Sequence, residues 1–141
     1  MRVSIMIAST LMLTACDLTG EVSRDEIAAV ISPDGATRAV LFETNGGATT
    51  AFGYEIELQP TQDTNEAVAA GELHGASRSG CSWGLNLHWL SPTELAVEFM
   101  EADRTAIPEQ VQVGAKSVTL MERSGVPDEA APCGGMLANL G

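Results

Sequence analysis

The chain is poor in positive charge. Its 141 residues hold 7 Lys and Arg against 19 Asp and Glu, a formal net charge of −12. Nucleic acids and anionic lipid headgroups are bound through clustered basic side chains, so this balance argues against both as ligands of the chain as a whole. Aromatic residues are also scarce: Phe42, Phe52, Tyr54, Trp83, Trp89 and Phe99 are the entire supply. A core must therefore rest on Val, Ile, Leu and Ala. The apolar stretch at residues 3–13 is too short to cross a bilayer core, which takes about 20 residues as a helix. Ser79 and Ser82 lack a nucleophile-elbow pattern. The pairs Gly46-Gly47 and Gly134-Gly135 do not lead from a strand into a helix, so neither marks a phosphate-binding loop. His74, Cys81, His88 and Cys133 do not form the tight pairs that zinc sites favour, and no metal or cofactor is expected from them. Cys81 beside His74 or His88 would be a nucleophile and base only as a free thiol, which an oxidising compartment disfavours. No catalytic set emerges.

What is present begins at the N-terminus. Arg2 supplies a minimal positive region, residues 3–13 an apolar one, and Leu13-Thr14-Ala15-Cys16 follows. An apolar segment of this length suits a secretion signal. The tetrapeptide resembles the lipobox of bacterial lipoproteins: an aliphatic residue, a small polar one, a small one, then cysteine. The resemblance implies cleavage before Cys16, a diacylglyceryl group on its thiol, and an acyl chain such as palmitate on the freed amine. The chemistry is coherent. The thiol is the one good nucleophile in the segment, and two or three chains anchor where one cannot, at about 0.8 kcal/mol per buried CH₂. No twin arginine is present, which points to the general export route. Asp17, directly after that cysteine, resembles the signal that keeps lipoproteins in the inner membrane. The expected address is the cell envelope, on the periplasmic face of the inner membrane rather than the outer membrane. Without residues 1–15 the chain has 126 residues, with 6 basic and 19 acidic side chains. With Cys16 acylated, Cys81 and Cys133 are left as an even number in an oxidising compartment, and a disulfide is the expectation.

The remaining chain reads as one domain: a signal peptide at 1–15, a lipidated tether at 16–23, a β domain at 24–123 and a Pro/Gly-rich tail at 124–141. Period-two patterning with regular turn signals predicts an all-β fold, a single small antiparallel sandwich or partly open barrel built from hairpins. Residues 27–31 form a first apolar run. Ser23-Arg24-Asp25-Glu26 also fits a helix capping box, but Ser32-Pro33-Asp34-Gly35 follows at once as a type I turn and favours a strand. Ala39-Val40-Leu41-Phe42 does not alternate and is expected in a central strand buried on both faces. Phe52, Tyr54, Ile56 and Leu58 share one face of the next strand, and Glu55 and Glu57 the other. Residues 67–74 fit a weak strand or a short helix equally. Trp83, Leu85, Leu87 and Trp89 alternate with Asn86 and His88. After Ser91-Pro92-Thr93, Leu95, Val97 and Phe99 point inward while Glu94, Ala96 and Glu98 point outward. Residues 101–110 read as a polar loop, and 111–113 with 116–122 as a last hairpin around Gly114-Ala115.

One block stands out: Ser32-Pro33-Asp34-Gly35, then residues 38–43, then Gly47-Ala48-Thr49-Thr50. Together with the Trp89–Phe99 hairpin it resembles a family of small exported bacterial proteins with no established activity. Many members carry cysteine before Gly-Ala-Thr-Thr, where this chain has Gly46. The segment of Asn45, Gly46, Gly47, Thr49 and Thr50 is a possible ligand loop, because it can present hydroxyls and backbone N–H groups. Its alternative is a turn that satisfies its own backbone.

The sequence thus predicts a lipid-anchored, non-enzymatic domain that binds an envelope protein, a cationic one by charge. Two alternatives stay open. One is a small hydrolase using exposed carboxylates such as Glu55 with Glu57 or Glu94 with Glu98. The other is an inhibitor of a cationic wall-degrading enzyme.

Overall fold

The computed structural model describes residues 22–127. The lipobox, Asp17 and Cys133 lie outside the described residues. Among the described residues nine strands form: β1 Ser23–Ile31, β2 Thr37–Asn45, β3 Gly53–Pro60, β4 Val68–His74, β5 Leu85–Ser91, β6 Glu94–Phe99, β7 Arg104–Ala106, β8 Gln110–Val113 and β9 Lys116–Arg123. A single 3-10 turn, Thr64–Glu66, joins β3 to β4.

These strands make two sheets, ordered β1-β2-β3-β4-β7 and β5-β6-β9-β8. One cluster of buried side chains fills the space between them. Ala39, Leu41, Tyr54, Ile56, Leu58 and Leu73 enter it from the first sheet, and Leu85, Leu87, Leu95, Val97, Phe99, Val118 and Leu120 from the second. The fold is the all-β sandwich that the alternating pattern predicts, because only a second sheet can cover so many inward side chains.

Both ambiguous segments are strands. Residues 23–31 pair with β2 through a bulge between Glu26 and Ala28. Residues 68–74 pair with β3. A helix at either place would leave one side of that sheet's backbone without partners. Ala39, Val40 and Leu41 are buried as expected, Val40 although it faces away from the shared core, whereas Phe42 is only half-buried, on the outward face under Arg24.

Four expectations need correction. The polar loop at 101–110 contains a strand, β7, which pairs with β4 at the sheet edge. Three residues are too few to show a period. Trp83 precedes β5 rather than belonging to it. Asn86 and Ala96, read as outward and exposed, are buried. Ala96 is a small residue between His88 and Met121, its register partners on either side. Finally, β6 and β9 run parallel. The chain leaves β6, crosses to the first sheet as β7, and returns through β8, so β9 arrives in the direction of β6.

The sandwich has two distinct ends. At one, the Ser32–Gly35 turn is closed by the Gly35 N–H donating to Ser32 O at 2.8 Å. Asp34 accepts from Ser32 Oγ and from Lys116 Nζ, and Lys116 also donates to Pro92 O. One lysine thus ties the three hairpin turns together across the two sheets. Lys116 is the first cause that lowers the Asp34 carboxyl to about 2, with Ser32 and the Ala36 N–H adding to it. Near this end the Trp89 indole donates to Val30 O at 3.1 Å and joins the edge strands β5 and β1. The start of β1, the β2–β3 connection and residues 75–84 occupy the opposite end.

Candidate functional site

The outward face of the first sheet carries the candidate site. In β3, Tyr54, Ile56 and Leu58 turn into the core, so the strand period sends Glu55 and Glu57 outward. β4 places Glu72 directly opposite Glu55 and Ala69 opposite Glu57. An extra residue in β4 makes a bulge there, and Gly71 takes φ +145. A Cβ on Gly71 would come within 3.2 Å of Ile107 Cγ1 and 3.3 Å of Ala106 O. Glycine therefore lets the middle of β4 and the C-terminal end of β7 approach closely. The result is an open groove of about 360 Å³, its lining part apolar, from Ala69, Gly71, Ala106 and Pro108, and part acidic, from Glu55, Glu57 and Glu72.

Like charges directly opposite in a sheet destabilise it. Glu55 and Glu72 are such a pair, with Glu57 nearby. The structure offsets part of that cost from β1. Arg24 donates through Nε to Glu55 and through Nη2 to Glu57, both at 2.5 Å. Its guanidinium stacks on Phe42, 3.6 Å from the ring centroid. The Glu55 hydrogen bond is the first cause that raises the Arg24 pKa further above its ordinary value. Farther along the same face Arg38 pairs with Glu26. The Glu72 side chain is half exposed, and its Oε1 lies 4.0 Å from His74 Nε2.

A second cluster sits at the end of the sandwich where β1 begins. Tyr54 is fully buried, and its hydroxyl accepts from the Gly84 N–H at 3.0 Å and donates to Glu43 Oε2 at 3.0 Å. Burial pushes the Tyr54 phenol well above its usual range. Glu43 in turn accepts from Arg78 Nη1 at 2.7 Å. Arg78 lies against the rings of Phe52 and Trp83, 4.2 Å and 5.2 Å from their centroids. Gly84 has to be glycine: a Cβ would meet Ser77 O at 2.6 Å. This network fixes residues 75–84 against the sheet.

The possible ligand loop satisfies much of its own backbone. Gly47 N–H donates to Asn45 Oδ1 at 2.9 Å, and both the N–H and the hydroxyl of Thr50 donate to Gly47 O at 3.1 Å. Asn45 is the last residue of β2, and Gly46, Gly47, Thr49 and Thr50 are exposed. His74 and His88 belong to different sheets, on β4 and β5. Cys81 sits in a turn where Ser79 Oγ accepts its N–H and contacts Ser82 Oγ at 3.1 Å. Glu94 and Glu98 do not act as a pair, since Glu98 accepts from Arg123 at 3.0 Å. Sequence reasoning found Glu55 and Glu57 but missed Arg24 and Glu72. In the sequence Arg24 falls in a stretch that also fits a helix capping box, and Glu72 in a segment of ambiguous period.

No protein-family model, curated protein or solved structure matches the chain.

Proposed function

We infer that this chain is a lipoprotein of the bacterial envelope, acylated on Cys16, whose sandwich is a non-catalytic binding module for a cationic partner protein. The observation that supports binding is the Glu55–Glu72 pair across the groove. Arg24 is spread over Glu55 and Glu57, and among the described residues Glu72 has beside it only the His74 imidazole, 4.0 Å from its Oε1, and no Lys or Arg. A Lys or Arg side chain of a partner, laid along the apolar part of the lining, would offset the remaining repulsion. Commitment of Glu55 and Glu57 to Arg24 favours charge recognition over proton transfer, which weighs against the hydrolase alternative.

Processing at the lipobox and binding at the groove are tested together. Metabolic palmitate labelling should mark the wild type and not Cys16→Ser; an unlabelled wild type overturns the anchor. When envelope extract is passed over wild type and over Glu55→Gln/Glu72→Gln, the wild type should retain a basic protein that the variant does not. The same proteins retained by both would refute the groove. A wall-degrading enzyme as the retained protein would identify the chain as its inhibitor.

Two further readings go with this one. Asp17 next to the acylated cysteine supports retention at the inner membrane, and membrane fractionation of wild type against Asp17→Ser reads this directly. A Cys81–Cys133 bond would pin the tail to residues 75–84. It is supported by Cys81 and Cys133 being the two cysteines left once Cys16 is acylated, in an oxidising compartment, and two alkylatable thiols in unreduced mature protein would refute it.

A further inference from the structure

We propose that the end of the sandwich formed by residues 46–52 and 75–84 rests on the lipid headgroup layer, leaving the Lys116 end pointing away from the membrane. The proposal rests on the lipid anchor inferred above and adds the orientation of the domain.

The first argument is the attachment point. β1 begins at Ser23, whose register partner is Asn45, so the chain enters the fold beside the 46–52 connection. Gly53 pairs with His74, and the Gly75 N–H donates to Phe52 O, which sets residues 75–84 at the same end. Six residues separate Cys16 from Ser23. Fully extended they reach at most about 25 Å. β1 alone, with nine residues, is about 30 Å long. The far end meets the membrane only if the tether doubles back along the whole sandwich.

The second argument is charge. The seventeen residues of 46–52 and 75–84 contain none of the chain's 19 acidic side chains. Their single charged residue is Arg78, which pairs with Glu43. Asp25 in β1, and Glu101 and Asp103 in the connection after β6, lie beside this patch, the last held by its N–H to His74 O. Excess negative charge keeps most of this surface from an anionic bilayer. These two loops are where that repulsion is missing. They also carry Phe52 and Trp83, both half-buried, whose exposed ring surface is apolar and uncharged.

The test uses mature, acylated protein in vesicles of phosphatidylethanolamine and phosphatidylglycerol. Mass spectrometry first reads the lipid on Cys16. Amide hydrogen exchange is then compared with the same mature chain lacking lipid, mixed with the same vesicles. Exchange should slow several-fold in peptides covering 46–52 and 78–83 and stay unchanged at 33–36 and 91–93. As a second readout, a nitroxide on the lipid headgroup should quench Trp83 in Trp89→Phe more than Trp89 in Trp83→Phe. Trp89 lies about five strand residues, or ~15 Å, farther from the tether end. Absence of lipid overturns the anchor, and this orientation with it. Lipid present with slowing at 33–36, or at neither end, overturns the orientation alone.

Discussion

Replacing Tyr54 with Phe deletes one oxygen and strips two partners. The Tyr54 side chain is fully buried, and its hydroxyl both accepts the Gly84 N–H and donates to Glu43 Oε2, each at 3.0 Å. The ring of Phe fills the same volume, so no cavity term enters. A hydrogen bond to a charged group contributes about 1.5–3 kcal/mol, and a buried N–H left without a partner costs about 1–3 kcal/mol. Glu43 keeps Arg78, and the two losses share one network, so they do not add in full. The expected destabilisation is on the order of 3 kcal/mol, which for a domain of roughly 100 residues lowers Tm by about 12 °C or more. Urea denaturation followed by tryptophan fluorescence checks it. The midpoint should fall with the slope unchanged, since the surface exposed on unfolding is the same. A loss below about 0.5 kcal/mol, the range of ordinary surface substitutions, would show that this hydroxyl does not hold residues 75–84 in place.

Val97 is fully buried in the shared core, so Val97→Asp should unfold the domain by burying an unpaired carboxylate. Glu98→Lys, one residue on, should cost no more than about 1 kcal/mol, the worth of its partly exposed pair with Arg123; equal damage from both in thermal melts would mean the register of β6 is wrong. The Asp34 carboxyl is held down to about 2 against an ordinary 3.8. Its contribution is therefore present above pH 3.8 and lost as pH falls through about 2. Asp34→Asn should flatten that part of the acid-unfolding curve, and a variant curve parallel to wild type would refute the clamp.

Much of the architecture is legible in the residues themselves. A side-chain period of two, as at Tyr54-Ile56-Leu58 against Glu55-Glu57, declares both a strand and which side is buried. Pro33 and Gly35, or Ser91-Pro92-Thr93, mark where hairpins turn. The candidate site is only half legible. Glu55 and Glu57 follow from the alternation. Glu72 sits in a strand interrupted by a bulge, and the bulge erases the period that would have identified it.

By itself the sequence determined the all-β class, the main hairpins, the acidic surface and the expectation of a lipidated cysteine, because these depend on local period, turn chemistry and composition. Tertiary structure alone decided that Glu72 faces Glu55, that Arg24 spans Glu55 and Glu57 over Phe42, that β9 lies parallel to β6, and that Lys116 ties three turns together. Each joins residues far apart in the chain. Register and sheet order are set by how two sheets close over one core, and no local pattern encodes which strands will become neighbours.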